Sequence, residues 1–216
     1  MDLSVQEVSE LIGVSQEAIL GWANGGKIPA YLIQESFRFN RAEIENWLIE
    51  NPQEVKKSDK LHFQLYRALI KGEVLTEARI LTKEAAIQEG LRRVAKKLNL
   101  DAEVLYDLVI EREYLVPTAL GEGFAIPHAR DFYLPYHYDS VSCVFLENPI
   151  EWGALDGKKV HTLFFLFASN DRRHLSLLAK IAHLIASHNH HLMEKPTKQA
   201  LLELVRSWEG RLQGKN

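Results

Sequence analysis

Two apolar runs, Val141 to Leu146 and Val160 to Ala168, constrain this chain more than any other feature of it. Both are rich in Val and Phe, and turn chemistry bounds them: Asn148-Pro149 follows the first and Asp156-Gly157 precedes the second. They read as buried strands. Segments of helical period surround them. Thr82 caps a helix that turns Ile87, Leu91, Val94, Ala95 and Leu98 inward, and Asp101 caps another with Val104, Leu105 and Leu108 inward. Two further stripes follow, Leu175, Leu178, Ala179, Ala182 and Ile185, then Leu201, Leu202, Leu204, Val205 and Trp208. Strands interleaved with helices make an α/β or α+β layer domain, expected over 73–212.

The longest apolar stretch, Leu163 to Ala168, is far short of the roughly 20 residues that span a bilayer. The start, Met1-Asp2, has no basic segment followed by an apolar one. Cys143 is the only cysteine and sits in an apolar run, which is the setting of a reduced, buried thiol. A cytoplasmic protein without a membrane segment is expected. With 46% hydrophobic and 25% charged residues, disorder and disulfide scaffolds are excluded, and 216 residues leave room for a second module.

That module is written in the first fifty residues. Ser4 with Glu7 forms a capping box ahead of Val8, Leu11 and Ile12; Gly13 turns the chain; Ser15 caps a second helix with Ile19 and Trp22 facing the first. Gly25-Gly26 ends it. From Lys27 to Phe39 there is no helical period, and a short hairpin is expected around Gln34-Glu35-Ser36. Asn40 with Glu43 forms a second capping box before Ile44, Trp47 and Leu48, and the helix stops at Asn51-Pro52.

This order resembles the small winged helix-turn-helix of the MerR and excisionase families, on Ser4 to Val8, Ile12-Gly13-Val14-Ser15, Trp22, Gly26 to Ala30, Arg38-Phe39 and Ile44 to Leu48. The domain is placed at 1–51. Up to Lys60 there are ten acidic and six basic residues, net −4, and the outward positions of the second helix carry Gln16, Glu17, Ala18, Leu20 and Gly21, with no arginine. For DNA, Gln16 and Asn24 are the candidates to read an adenine edge, and Lys27, Arg38 and Arg41 to hold phosphates, with a shallow salt dependence. A scaffold for protein contact or dimerisation stays open beside that reading, and a two-fold dimer is the expected assembly. Residues 52–60 read as a linker, and 61–72 as a helix bridging the modules, with Leu61, Leu65, Ala68 and Leu69 as its stripe and Gly72 as its cap. Independent motion of the two parts is expected.

The chemistry concentrates in Thr118-Ala119-Leu120-Gly121-Glu122-Gly123-Phe124-Ala125-Ile126-Pro127-His128-Ala129-Arg130. Its glycines permit close backbone approach, and Pro127 fixes the dihedral just before a histidine. The string is similar to the active-site signature of phosphotransferase-system enzyme IIA domains of the mannitol, fructose and nitrogen-regulatory type. The resemblance extends to Arg112-Glu113, Thr118, Pro149-Ile150, Ala154 to Gly157, His174-Leu175 and Leu177-Leu178-Ala179, about 140 residues in all. Glu122 stands where many members carry Asn, which puts a negative charge near the site.

The resemblance implies a mixed sheet flanked by helices on both faces. It implies that His128 accepts a phosphoryl group from a phosphohistidine on HPr or its nitrogen-branch counterpart, an imidazole being a neutral nitrogen nucleophile near neutral pH. Arg112 is then expected to neutralise the phosphoryl oxygens, His174 to hydrogen-bond the group or hold the ring, and Thr118, Gly121 and Gly123 to form the loop over it. No metal and no cofactor is called for. His188-Asn189-His190-His191 lacks the cysteine or carboxylate spacing of a metal site, His62, His137, His161 and His183 have no evident partner, and Tyr133, Tyr136 and Tyr138 read as packing or as a donor-contact surface. The leading expectation is a regulator, a DNA-binding module joined to a phosphorylated sensor that acts on DNA or a protein target. The rival is a phosphocarrier that relays phosphate to a sugar-specific partner, and an interaction protein with an inert site is the third reading.

Overall fold

The computed structural model describes residues 2–51, 54, 64–129, 132, 134, 135 and 138–213. The linker apart from Glu54, the Leu61 start of the bridging helix, His62, Arg130, Tyr133, Tyr136 and His137 fall outside them.

The chain opens with β1 (Asp2–Ser4) and α1 (Val5–Ile12), joined by the expected box: Ser4 Oγ accepts from the Glu7 N–H, and the Glu7 carboxylate accepts from the Ser4 N–H at 2.7 Å. Then come α2 (Gln16–Asn24), capped by Ser15, the hairpin of β2 (Tyr31–Ile33) and β3 (Ser36–Asn40), and α3 (Arg41–Glu50). Sequence patterning missed β1, which pairs antiparallel with β3 and completes a three-stranded sheet of order β1-β3-β2. Asn40 caps α3, accepting from the Ala42 and Glu43 N–H groups, but the second capping box does not close, because the Glu43 carboxylate accepts from the Tyr31 hydroxyl at 2.7 Å instead.

The second module begins at α4 (Gln64–Lys71) and β4 (Val74–Ala78), followed by α5 (Lys83–Leu98), α6 (Ala102–Leu115), β5 (Ala119–Gly121), β6 (Phe124–Ala125), β7 (Ser140–Ile150), β8 (Val160–Phe167), α7 (Asp171–Met193) and α8 (Lys198–Gln213). The sheet is mixed, in the order β4-β7-β8-β6-β5, with β4 and β6 parallel to β7 and β8 respectively and β7 antiparallel to β8. Alternation along β7 and β8 divides the core. Cys143, Phe145, Phe164 and Leu166 pack with α4, α7 and α8, while Val144, Leu146, Leu163, Phe165 and Phe167 pack with α5 and α6. Helices therefore cover both faces.

Two sequence expectations are corrected and a third is extended. β7 does not stop at Asn148-Pro149 but runs to Ile150, with a register shift between Phe145 and Ile150, the kind of irregularity at which a strand tolerates proline. On α6 the buried face carries Leu105, Val109, Arg112 and Glu113, and Val104 is exposed, so the inward stripe includes an arginine. Gly72 does more than close a helix: a Cβ there would lie 1.8 Å from the Val141 carbonyl oxygen.

The N-terminal module is packed onto the second. α1 and α3 lie against α7, and one continuous apolar cluster runs from Leu3, Val8, Ile12, Ile44 and Leu48 through Leu175 and Leu178 to Leu201 and Trp208. Among the described residues no helix is long and apolar enough to cross a membrane.

Candidate active site

Burying the Leu105–Val109–Arg112 face of α6 carries Arg112 inside the protein, where it is 2% exposed. Its Nη1 donates to the Val116 carbonyl at 2.8 Å, which fixes the guanidinium at the helix end. Next to it Glu113 accepts from both the Thr118 N–H and the Thr118 hydroxyl, and Lys83 Nζ stands 3.6 Å away. Thr118 thus anchors the start of β5.

The β5–β6 hairpin turns at Gly121-Glu122-Gly123, all three at positive φ (+83°, +52° and +84°). The Glu122 N–H donates to Asp156 at 2.8 Å, the Glu122 side chain pairs with Lys158 at 2.7 Å, and a Cβ on Gly123 would sit 2.3 Å from the His161 ring. The glycine turn therefore lies against Asp156, Lys158 and His161. The negative charge of Glu122 is matched by Lys158, and what the turn supplies to His128 is the path of β6.

Beyond β6, His128 is 1% exposed. Its Nδ1 lies 2.7 Å from the Ile126 carbonyl, which can only accept, so Nδ1 carries a proton and Nε2 faces inward. β6 runs parallel to β8, and β8 leads directly into α7, capped by Asn170. His174, on the first turns of α7, is therefore brought beside His128, with ring centroids 5.0 Å apart in an edge-on contact. Burial first, and then the neighbouring His128, pull the His174 imidazole down to about 3, so it is neutral at physiological pH. The structure brings His128 and His174 into contact.

A fourth residue completes the cluster, and no functional motif pointed to it. Glu45, on α3 of the N-terminal module, places Oε2 3.5 Å from His128 Nε2 and 3.8 Å from Arg112 Nη2, and Oε1 4.0 Å from His174 Nε2. Burial alone would raise its carboxyl. Contact with His128 and the positive charge of Arg112 outweigh that and hold it well below the usual carboxylate range. Arg41, one turn earlier, donates to Glu45 Oε1 at 3.2 Å and grips Asp171 at 2.6 and 2.9 Å. The legible signal was the Arg41/Glu45 spacing on the same helical face as Leu48.

The candidate DNA contacts divide. Gln16, Asn24, Lys27 and Arg38 are exposed, although Lys27 pairs with Glu54 at 2.9 Å and stands over the Trp22 ring. Arg41 is 8% exposed and engaged with Asp171 and Glu45, so it is withdrawn from the phosphate-contact set in this arrangement. The exposed remainder is thin for groove binding.

The family described as "Phosphoenolpyruvate-dependent sugar phosphotransferase system, EIIA 2" matches residues 68–208, and a helix-turn-helix domain family matches residues 3–52. A nitrogen regulatory protein of Pseudomonas aeruginosa is 32% identical over 145 residues, 62% of this chain and 92% of that protein. The fold is shared with the crystal structure of nitrogen regulatory protein IIA-Ntr from Neisseria meningitidis, TM-score 0.56 at 23% identity, over 65% of this chain and 94% of that one. It is also shared with the mannitol enzyme IIA of Escherichia coli in its complex with phosphorylated mannitol enzyme IIB, TM-score 0.53 at 18% identity, over 62% and 94%.

Proposed function

Residues 68–208 make this chain a member of the phosphoenolpyruvate-dependent sugar phosphotransferase system EIIA 2 family, and from that premise we propose that it is a phosphorelay regulator whose histidine governs the docking of its own helix-turn-helix module. His128 Nε2 attacks the phosphorus of a phosphohistidine on an HPr-type donor; the donor's P–N bond breaks and its electron pair returns to the donor ring. Arg112 faces the charge that arrives, and neutral His174 can hydrogen-bond a phosphoryl oxygen or brace the ring.

The observation that carries this reading is the place of Glu45. Its carboxylate lies where a phosphoryl group on His128 would need Arg112, and α3 buries the acceptor nitrogen. A phosphoryl group brings a charge of about −1.5 to −2, which cannot share that space with a carboxylate. Donor access and phosphorylation therefore both require α3 to leave, and the released module is free to engage DNA or a protein.

The phosphocarrier reading has its own support. The mannitol enzyme IIA that shares this fold forms a complex with a phosphorylated IIB protein, and with Arg41 engaged the N-terminal module offers few cations to DNA. Intact-mass spectrometry at alkaline pH, after incubation with phosphoenolpyruvate, enzyme I and the HPr-type protein, tests the acceptor. One phosphoryl group on the native chain and none on His128→Ala is expected; no gain with an active donor set overturns the relay. Phosphate-dependent retention on DNA then supports the regulator, and discharge to a IIB-type partner the carrier.

A further inference from the structure

Two buried imidazole nitrogens and one buried carboxylate meet across the boundary between the modules. His128 Nε2 and His174 Nε2 are both fully covered and lack a hydrogen-bond partner among the described residues. The ligand atoms of Glu45, His128 and His174 all lie within 4.8 Å of one another, and the three residues are 1 to 3% exposed. In the tautomer that carries the proton on Nδ1 of both rings, each of these atoms offers an electron pair toward the same space. The Ile126 carbonyl holds the His128 proton on the far side of the ring. Leaving such atoms buried and unmatched is unfavourable. What answers three converging electron pairs is a cation.

We propose that Glu45, His128 and His174 form a divalent transition-metal site, of the kind zinc occupies, that clamps the helix-turn-helix module onto the phosphoacceptor histidine. The donor set, two imidazoles and a carboxylate, suits zinc or cobalt rather than magnesium or calcium, which take oxygen ligands. Ligand atoms about a tetrahedral zinc stand roughly 3.3 Å apart, given bonds of about 2.0 Å. The 3.5 Å between His128 Nε2 and Glu45 Oε2 is close to that, while His174 Nε2 stands 4.0 Å from the other carboxylate oxygen and the donor set as a whole lies within 4.8 Å, so His174 has to close in on binding. Three protein ligands leave the fourth position to water. The ligands are themselves held: Ile126 orients His128, and Arg41, held by Asp171, bonds the Glu45 carboxylate.

The surrounding charges set the sign of a discriminating test. Arg41 is balanced by Asp171, whereas Arg112 stands 3.8 Å from Glu45 Oε2 and repels an added cation. Arg112 thus favours a phosphoryl group on His128 and disfavours a metal. The two occupants exclude each other, since both need the His128 Nε2 electron pair.

The experiment is titration of the full chain with Co²⁺ alone, read by the visible absorption of four-coordinate cobalt, with zinc competition and zinc-edge X-ray absorption for the ligand shell. One ion per chain is expected, with two imidazoles in the shell. Glu45→Gln and His174→Gln should each weaken binding at least about 100-fold, the upper end of what losing a mere second-shell partner costs. Arg112→Gln should tighten it. A His190→Gln/His191→Gln variant, altering two exposed histidines of α7, should bind as the native chain does. No four-coordinate cobalt signal overturns the proposal, as does a signal that survives Glu45→Gln or is lost with His190 and His191. The site rests on the docking of Glu45 and not on phosphoryl acceptance. A chain that takes cobalt but never phosphate overturns the relay alone, and one that takes phosphate but never cobalt overturns the metal site alone.

Discussion

Arg41 reaches from the N-terminal module to Asp171 at the start of α7 and holds it through both terminal nitrogens, at 2.6 and 2.9 Å. The arginine is almost fully buried and the aspartate about one-third exposed. Asp171→Asn removes one carboxylate partner of that arginine and leaves it the Glu45 carboxylate, on its own helix. Discounted for the exposure of Asp171, the loss is expected to be about 1 to 2 kcal/mol. It should appear as faster hydrogen exchange in α3 and faster phosphorylation of His128. Unchanged exchange in α3 would show that the pair does not hold the modules together.

The protonation of His174 gives the fold an acid sensitivity whose sign follows from its lowered value. In the unfolded chain the imidazole takes a proton near pH 6.5, whereas in the folded chain it does so only near 3. The unfolded state therefore binds more protons throughout that window, and stability falls as pH drops from about 6.5 toward 3, by a few kcal/mol in total. Glu45 adds to the same trend only below about 4.5, where its unfolded carboxylate begins to protonate. Urea midpoints measured against pH with chelator present should show this slope in the native chain and a flattened one in His174→Gln.

Glu122 holds φ +52° at an exposed turn, a conformation in which asparagine is several-fold enriched and glutamate is not. Its ion pair with Lys158 lies at the surface and contributes little. Glu122→Asn is expected to raise stability by about 0.5 to 1 kcal/mol. A lower urea midpoint would refute that.

Gly123 is a stricter case, since a side chain there meets both a positive φ and the His161 ring. Gly123→Ala is expected to cost about 2 to 3 kcal/mol, and to move the His161 ring resonances in an NMR spectrum. A neutral substitution would mean that the hairpin and His161 shift apart freely.

Cys143 lies in β7, fully buried, and desolvation pushes its thiol well above the ordinary range. Alkylation by iodoacetamide should follow global unfolding and be slow in the native chain. Rapid labelling under native conditions would locate an opening of the sheet that bypasses unfolding.

Much of this molecule was legible from its residues. The runs at 141–146 and 160–168 announced the central strands because burial on both faces makes them continuously apolar, and the five expected N-caps, Ser4, Ser15, Asn40, Thr82 and Asp101, stand where their side chains promised. β5 and β6, of three and two residues, carry too little pattern to be read. His128, His174 and Arg112 were found through a motif that spans one module only. Glu45 was not, because its meaning depends on how that module meets another, and no periodicity within a helix encodes a contact made across the fold. Arg41 was misassigned for the same reason, since an arginine on a DNA-binding scaffold looks available until Asp171 is seen beside it.

The apolar cluster that joins α1 and α3 to α7 has a bearing on signalling that charge alone does not convey. When the modules part, Val8, Ile12 and Ile44 lose their cover at the same instant as Leu175 and Leu178. The opened chain then exposes two adhesive faces, each with a free energy to be recovered by whatever covers it. Under the proposed release, any partner of those bared surfaces would compete with the molecule's own return to itself.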